Sequence, residues 1–144
     1  MQTRKITKTD FDRIVEVIDH WWGGPISTFA HPIFFYELGD MALVVESEGA
    51  LIGFLLGFVA HQDTGYVHLV GIHPEHRRKG VGRALYANFT QAAVTAGCTK
   101  LKAITTTGND GSIRFHLAQG WQAQEIDDYA GPNRKRIVFT KEVS

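Results

Sequence analysis

The chain has 144 residues, 44% of them hydrophobic, which is enough for one sizeable core and predicts a single domain over residues 1–144. Its 15 Lys and Arg residues balance its 15 Asp and Glu residues, and this neutral total argues against a general nucleic-acid binder. A single cysteine excludes an internal disulfide, and neither a signal peptide nor a stretch of membrane-spanning length is visible, so we expect a cytoplasmic protein with no membrane partner.

The N-terminal part predicts a strand followed by two helices. Residues 2–6 favour a short strand, and Asp10 has a side chain that can cap the free amides of a first helical turn. Gly23, Gly24 and Pro25 predict the end of that helix, and the aromatic segment 31–38 predicts a second, short helix. The first helix has an apolar stripe of Phe11, Ile14, Val15 and Ile18.

The remainder of the chain predicts six strands and two further helices. The predicted strands are 41–46, 51–60, 66–72, 100–106, 121–129 and 134–141, and the predicted helices are 81–96 and 112–119. The first three of these strands form an antiparallel meander. The full order, β-α-α-β-β-β-α-β-α-β-β, indicates an α+β sheet with helices packed on it.

A basic segment with two glycines links the meander to the helix at residues 81–96. Free N–H groups at a helix start attract anions, and residues without a Cβ let phosphate oxygens approach the backbone. We therefore predict a phosphate site formed by Arg77, Arg78, Lys79, Gly80, Val81, Gly82 and Arg83. The alternative is a solvated basic turn. The glycine spacing fits neither a P-loop nor a Rossmann fingerprint, in which a third glycine would replace Leu85.

Two regions of the chain resemble the GNAT superfamily of N-acetyltransferases. Arg77, Gly80 and Gly82 match its pattern of Arg or Gln, two residues, Gly, one residue, then Gly or Ala. The second match, to the family's Asn-x-x-(Ala/Ser)-x-x-Phe-Tyr-x-x-x-Gly-Phe, consists of Asn109, Ser112, Phe115, His116, Gly120 and Trp121. Together the two regions cover about half the chain. Bacterial members with Trp-Trp-Gly-Gly, Val-Gly-(Val/Ile)-His-Pro and Ser-Ile-x-Phe-His motifs are the most similar.

The resemblance implies a fold, a cosubstrate and a reaction. The GNAT fold is a mixed, mostly antiparallel sheet of six to seven strands flanked by about four helices. Its members bind acetyl-CoA and move the acetyl group to a primary amine by direct attack on the thioester. By this resemblance, the loop of this chain would bind the pyrophosphate, and Asn109 and Ser112 would lie near the pantetheine arm. The family's strand before the loop carries a bulge whose amides serve the coenzyme and the carbonyl, and we expect it near Val70, Gly71 and Ile72. The alternative is that Gly71 is a glycine for packing only.

Two histidines are the candidate catalytic residues. His116 stands where the resemblance places a tyrosine near the thioester sulfur, so we assign it as the general acid; packing or simple hydrogen bonding is the alternative. His68 shares a strand face with Tyr66 and is the candidate base, unless it is satisfied within the sheet. Glu37 is a weaker candidate for the base.

The acceptor side is predicted less sharply. Aromatic residues near the first two helices line either an acceptor pocket or the core, and the residues at 127–129 either face a cationic amine or are solvated. The weak acceptor candidates are Trp21, Trp22, Tyr36, Glu37 and Tyr129. We expect no metal site, because His73 and His76 have no Cys or carboxylate partners at ligand spacing.

Three hypotheses about function remain at this stage. The first is an N-acetyltransferase acting on a small-molecule or peptide amine; a small amine, an antibiotic, an amino acid and a protein N-terminus are all open as acceptors. The second is a non-catalytic acyl-CoA-binding or sensing domain, which the absence of the family's tyrosine motivates. The third, a nucleic-acid or anion-binding module, is opposed by the neutral charge. Dimerisation is common in the family, and a homodimer stays open.

Overall fold

The structure, a computed structural model, describes residues 1–22 and 29–144, with the side chain of Trp22 outside the described part. The helix end predicted at Gly23, Gly24 and Pro25 therefore lies outside the described residues. The strands are β1 Gln2–Lys5, β2 Leu43–Ser47, β3 Ala50–Ala60, β4 Thr64–Ile72, β5 Lys100–Thr105, β6 Gln122–Ile126 and β7 Arg136–Glu142. The helices are α1 Lys8–Trp22, α2 Ile33–Tyr36, α3 Val81–Thr95 and α4 Asp110–Ala118.

The predicted α+β class and the predicted order of strands and helices are confirmed. The described strands form one seven-stranded sheet in the order β1-β2-β3-β4-β5-β7-β6. All neighbouring pairs are antiparallel except β4 and β5, which run parallel because α3 connects them. The short 3-10 helices Gly39–Met41 and Pro74–His76 were not predicted. Among the described helices, none has the length and apolar character needed to cross a bilayer.

Two hydrophobic clusters lie on opposite faces of the sheet. One joins α3 to the sheet through residues such as Leu85, Phe89 and Phe139. The other joins α1 to the opposite face through residues such as Ile14 and Phe54. Because successive side chains of a strand point to opposite faces, β2, β3 and β4 contribute to both clusters, whereas β5 and β7 contribute to the α3 cluster.

The first helix begins two residues before the predicted cap. Lys8 is its first residue, and the carbonyl of Thr7 accepts the first helical hydrogen bond, from the Phe11 amide. Thr7 and Asp10 form a reciprocal capping box: the Asp10 carboxylate accepts from the Thr7 amide at 2.8 Å, and the Thr7 hydroxyl accepts from the Asp10 amide at 3.3 Å. The prediction of Asp10 as the N-cap was therefore wrong, because Thr7 takes that position and Asp10 closes the box from the first turn.

Asp10 also joins the helix start to β1. Arg4 donates to its carboxylate at 2.6 and 3.1 Å and also contacts Glu46 at 3.1 Å. Burial raises the pKa of the Asp10 carboxyl, but the hydrogen bonds from Arg4 and Thr7 outweigh burial and hold that pKa below its ordinary value. The ionised carboxylate is thus part of the folded state.

We predict that Asp10→Ala lowers the free energy of unfolding by about 1–3 kcal/mol, because it removes a helix cap and the part-buried hydrogen bonds that the carboxylate accepts from Arg4 and Thr7. Asp12→Ala is the matched control, since the Asp12 side chain is 55% exposed and its ion pair is with Lys8 on the same helix; it should cost about 0.5 kcal/mol or less. Chemical denaturation of both variants checks the difference, and equal losses would contradict it.

Candidate functional site

The sheet opens where β4 and β5 part. The two strands pair from Thr64 with Lys100 to Val67 with Ala103, and no pairing between them follows. Beyond that point β4 continues against β3, and β5 continues against β7 as far as Thr105. The unpaired strand ends diverge and leave a gap in the middle of the sheet.

A β-bulge in β4 coincides with this parting. Leu69 pairs with Leu56 and Val67 pairs with Gly57, so His68 is the extra residue on its strand. The bulge was expected at Val70, Gly71 and Ile72, and that placement was wrong: these residues pair in regular register with β3. Gly71 has a packing reason to be glycine, because an added Cβ would lie 2.3 Å from the Phe54 ring.

A cleft of about 980 Å³ fills the opening. It passes from one face of the sheet to the other. On the α3 side its walls come from α3 and α4, and on the opposite side from His68 and its neighbours. The described residues lining it are Phe29, Tyr66, Val67, His68, Leu69, Val70, Ile72, Arg77, Arg78, Gly82, Tyr86, Ala103, Ile104, Thr105, Thr106, Asn109, Gly111, Ser112, Phe115, His116 and Arg136.

The predicted phosphate loop lies at the α3 end of this cleft. Arg78 and Gly80 have left-handed φ angles of 62° and 85°, so the loop turns tightly before Val81 begins the helix. Residues 77–80 form a tight turn that leads into α3. The amides of Val81, Gly82 and Arg83 belong to the first turn of α3, where helical N–H groups have no carbonyl of a preceding turn to donate to, which is the chemistry an anion requires.

The side chains of this loop divide into two groups. Arg78 and Gly82 line the cleft. Arg77 also lines it, but its guanidinium donates to the Trp21 carbonyl at 2.5 Å and so ties the loop to the end of α1. Of the loop residues predicted to bind the coenzyme, those that do not line the cleft are Lys79, Gly80, Val81 and Arg83; Gly71 of β4, also predicted to bind it, does not line the cleft either.

Gly82 lies where β4, α3 and α4 meet. A Cβ at this position would be 3.2 Å from Ile72 Cδ1 and 3.3 Å from Phe115 Cε1, and both of those side chains line the cleft. A larger residue here would therefore push into the wall of the cleft. Gly80, in contrast, has open space around it and is required by its left-handed φ of 85°.

Asn109 and Ser112 connect the cleft to the start of α4. The Asn109 side chain accepts from the Ser112 amide at 3.2 Å, which makes it the N-cap, and donates to the Thr105 hydroxyl at 3.0 Å. Its amide group thus links the end of β5 to α4. Both residues line the cleft, and their predicted contact with the pantetheine arm stays a prediction.

His116 is buried and bonded at both ring nitrogens. Its Nδ1 lies 2.7 Å from the Ser112 carbonyl, an acceptor, so Nδ1 carries the proton and donates. Its Nε2 lies 2.8 Å from the Tyr86 hydroxyl and must accept from it. The ring also stacks on Phe139 with centroids 4.0 Å apart. In the neutral form of the imidazole, these contacts select a single tautomer.

Burial shifts both members of this pair away from proton donation. It lowers the pKa of His116, against a smaller opposing effect of the Ser112 carbonyl, and it raises the pKa of the Tyr86 hydroxyl. His116 is thus kept neutral, and Tyr86 keeps its proton. This arrangement opposes the predicted role of His116 as a general acid.

His68, unlike His116, is hydrogen-bonded at only one ring nitrogen among the described residues. Its Nε2 donates to the Phe29 carbonyl at 3.0 Å, which leaves Nδ1 with a lone pair that accepts from no described residue. The ring stacks on Phe34 with centroids 3.9 Å apart, and Tyr66 lies on the same side, 6.0 Å away. Burial lowers the pKa of His68, against a smaller opposing effect of the Phe29 carbonyl, so the ring is neutral near pH 7.

Most of the predicted acceptor residues lie away from the cleft. Trp21 is a core residue that packs against Phe54. Tyr36 is 60% exposed, and Glu37 ends α2. Neither they nor Tyr129 line the described cleft, and the side chain of Trp22 lies outside the described residues.

Sequence reasoning missed several lining residues. Tyr86 follows Leu85 in an apolar helix and gave no sign of its contact with a histidine 30 residues away. Arg136 begins β7, and only the pairing of β7 with β5 brings it to the cleft. Alternation with Ile137 was the one available signal, and it predicts the face of the sheet but not the neighbouring strand. The other missed lining residues are Phe29, Val67, Leu69, Ala103, Ile104, Thr105, Thr106 and Gly111.

Comparison with known proteins places this geometry among acetyltransferases. The sequence profile of the Acetyltransferase (GNAT) family matches residues 11–121. An acetyltransferase of Yersinia enterocolitica is 24% identical over 131 residues, which cover 87% of this chain and 90% of that protein. Ard1 from Thermoplasma volcanium superposes with a TM-score of 0.84 at 18% identity, over 99% of this chain and 97% of that one. The yncA protein of Salmonella typhimurium, solved with its cofactor acetyl-CoA, gives 0.75 at 19% identity, over 99% and 94%.

We predict that the neutral state of His116 makes the fold sensitive to acid. Because its pKa is lowered in the fold, the unfolded chain binds a proton that the native chain does not, and stability falls as pH drops below about 6.5. In His116→Gln, thermal and chemical denaturation between pH 7.5 and 5 should show a shallower loss, by up to about 1.4 kcal/mol per pH unit.

His20→Gln is the control, because His20 is exposed on α1, and it should keep the wild-type pH dependence. His68 still titrates in both variants, so some dependence remains. An unchanged slope in His116→Gln would show that His116 protonates freely in the fold, as a general acid must.

Proposed function

Because this chain belongs to the GNAT acetyltransferase family, we propose that it moves the acetyl group of acetyl-CoA to a primary amine by direct attack on the thioester. The observation that carries the proposal is the cleft through the sheet. The first-turn amides of α3 lie at its α3 end, and a histidine with a free lone pair lies on its other face. A coenzyme and an amine entering from opposite faces would meet in the gap.

The residues of the cleft fit acetyl-CoA. The diphosphate requires several N–H donors and positive charge, which the first-turn amides of α3 and the side chain of Arg78 supply. The pantetheine arm would lie in the gap between Val70 and Asn109, both of which line it. No described lining residue carries a carboxylate that would repel the diphosphate.

The acetyl group arrives as a thioester: an N–C bond forms as the C–S bond breaks, and coenzyme A leaves as a thiolate that takes a proton from water. The chain's part is to bind and orient both reactants and to receive the proton that the amine loses. A thiol has a reference pKa of about 8.5, so reprotonation of the thiolate near neutral pH needs no strong acid.

We assign His68 as the group that receives the amine's proton, at Nδ1. Its Nε2 is fixed by the Phe29 carbonyl, so the ring orientation is set, and its lowered pKa keeps Nδ1 unprotonated at neutral pH. Its position at the bulge places it at the edge of the gap. We assign His116 a positioning role, holding Tyr86 and therefore the contact between α3 and α4.

The first test is acetyl-CoA binding and thiol release over a panel of amines, with Gly82→Glu as the diagnostic variant. We predict that the wild type binds acetyl-CoA and releases coenzyme A with at least one amine. Gly82→Glu should lower acetyl-CoA affinity at least 100-fold, because its side chain enters the cleft wall beside Ile72 with a negative charge.

Ala87→Glu adds the same charge on the exposed side of α3 and should leave affinity within about twofold, since Ala87 does not line the cleft and its exposed charge is surrounded by water and salt. Circular dichroism of both variants checks that they fold. Unchanged affinity in a folded Gly82→Glu would contradict the loop assignment. Binding without turnover of any amine would favour a non-catalytic acyl-CoA-binding domain.

We predict that His68→Gln lowers kcat by about 10²- to 10⁴-fold, the usual contribution of a general base. The wild-type kcat should fall as pH drops, with an apparent pKa below 6.5, because only the neutral ring accepts a proton. The variant should lose that acidic limb of the profile. An acidic limb that persists unchanged in His68→Gln would show that another group accepts the proton.

A further inference from the structure

The half of the cleft on the side away from α3 carries positive charge without a carboxylate. Arg136 alternates with Ile137, and Ile137 packs in the α3 cluster, so Arg136 lies on the other face of the sheet. Ile104 and Lys102 lie on that face for the same reason, because Ala103 and Leu101 belong to the α3 cluster. Arg136 shares its face with Tyr66 and His68 and lines the same cleft.

Arg136 keeps most of its hydrogen-bonding capacity. Its one hydrogen bond within the described chain is from Nη1 to the Lys135 carbonyl, at 2.8 Å. The carboxylates on this part of the sheet are already used. Glu125 and Asp127 lie 2.9 and 3.5 Å from the Lys135 ammonium. The guanidinium therefore has donors left for a ligand and no described carboxylate to neutralise it.

A second cation reinforces the charge on this face. The Lys102 ammonium lies 5.2 Å from the centre of the Tyr129 ring and pairs with no carboxylate of residues 1–22 or 29–144. The described lining residues include three arginines and no Asp or Glu. Residues 23–28, Gly-Gly-Pro-Ile-Ser-Thr, cannot add a carboxylate either, because their sequence contains none.

The acceptor candidates at 127–129 do not reduce the excess of positive charge in the cleft. Asp127 is paired with Lys135, and Asp128 accepts from the Asn133 amide at 2.7 Å and so closes the turn before β7. Neither lines the described cleft. The sequence-based idea that these carboxylates receive a cationic amine therefore finds no support in the geometry of the cleft.

We infer that the acceptor is a primary amine that carries a carboxylate, of the amino-acid class, and that Arg136 binds this carboxylate. The inference rests on the proposed acetyltransferase function and adds the substrate class. A planar guanidinium binds a carboxylate with two parallel hydrogen bonds, so Arg136 would orient the acceptor as well as attract it. A diamine would bring a second positive charge into a cleft already lined by arginines.

The bonds formed and broken, and the protons moved, are the same as in the acetyl transfer proposed above. The carboxylate of the acceptor takes no part in bond making; it stays ionised on Arg136 while the neutral amine attacks. The amine's proton goes to His68 Nδ1, and the product is an N-acetyl amino acid. Arg136 contributes to binding and specificity rather than to proton transfer.

The test compares amino acids with their own amides. Each L-amino acid and its amide are offered to the full chain at saturating acetyl-CoA, and kcat/KM is divided by the fraction of neutral amine at the assay pH. We expect at least one amino acid to exceed its amide by 10-fold or more. Arg136→Gln should reduce that ratio about 10- to 100-fold, the loss typical of a charge-assisted pair, because kcat/KM for the acid falls more than kcat/KM for the amide.

Arg134→Gln is the matched control, because Arg134 is exposed two residues earlier and does not line the cleft; its ratio should equal that of the wild type. Arg136→Lys should keep part of the preference, since it retains the charge without the paired geometry. Amides or diamines that react as well as amino acids, or an equal ratio in Arg136→Gln, would overturn the inference and leave the acetyltransferase function standing.

Binding of the product keeps the inference testable if no amine is turned over. An N-acetyl amino acid and its amide are titrated into the chain saturated with coenzyme A, by calorimetry. Tighter binding of the acid, lost in Arg136→Gln, supports the carboxylate site; equal binding or none overturns it. Failure to bind acetyl-CoA at all overturns the proposed function itself, and this assay separates that outcome from the other two.

Discussion

The parting of β4 from β5 after Val67 and Ala103 is the constraint on which the cleft depends. A continuous ladder would close the sheet and leave no passage between its faces. Two features keep it open: the extra residue His68 ends regular pairing on β4, and β5 finds its remaining partners in β7. The bulge also changes the alternation of the strand, so Val67 and Val70 pack toward α3 while Leu69 packs toward α1. One inserted residue thus opens the cleft and places a histidine at its edge.

The two histidines of the cleft show how hydrogen bonding divides roles between identical side chains. Both are shifted toward the neutral form by burial. Both ring nitrogens of His116 are hydrogen-bonded, to the Ser112 carbonyl and the Tyr86 hydroxyl. The side chain therefore links α4 to α3 but has no lone pair available for a substrate proton. His68 uses only Nε2 in a hydrogen bond, to the Phe29 carbonyl, so the Nδ1 lone pair can accept a proton. The difference lies in their partners rather than in their burial, and local sequence around either residue does not reveal those partners.

Local patterns were sufficient for the order of elements, because apolar periodicity and glycine spacing act over a few residues. The start of α1 was misplaced because two residues, Thr7 and Asp10, both have capping side chains, and only the reciprocal bonds distinguish their positions. The bulge was misplaced because Gly71 looked like a bulge residue but makes room for the Phe54 ring from the neighbouring strand. Tyr86 and Arg136 reach the cleft through contacts between distant segments, which no short pattern encodes.

The neutral total charge of the chain hides a strong local asymmetry. Several acidic side chains form ion pairs away from the cleft: Asp10 and Glu46 pair with Arg4, and Glu125 and Asp127 pair with Lys135. The described cleft walls are left with arginines and no carboxylate. Low-dielectric walls concentrate the field of such charges, so anionic groups are favoured at both ends of the passage. The proposed diphosphate site would use the positive charge at the loop end, and the unpaired guanidinium of Arg136 favours an anionic group on the other face as well, which is why it points to the chemistry of the acceptor.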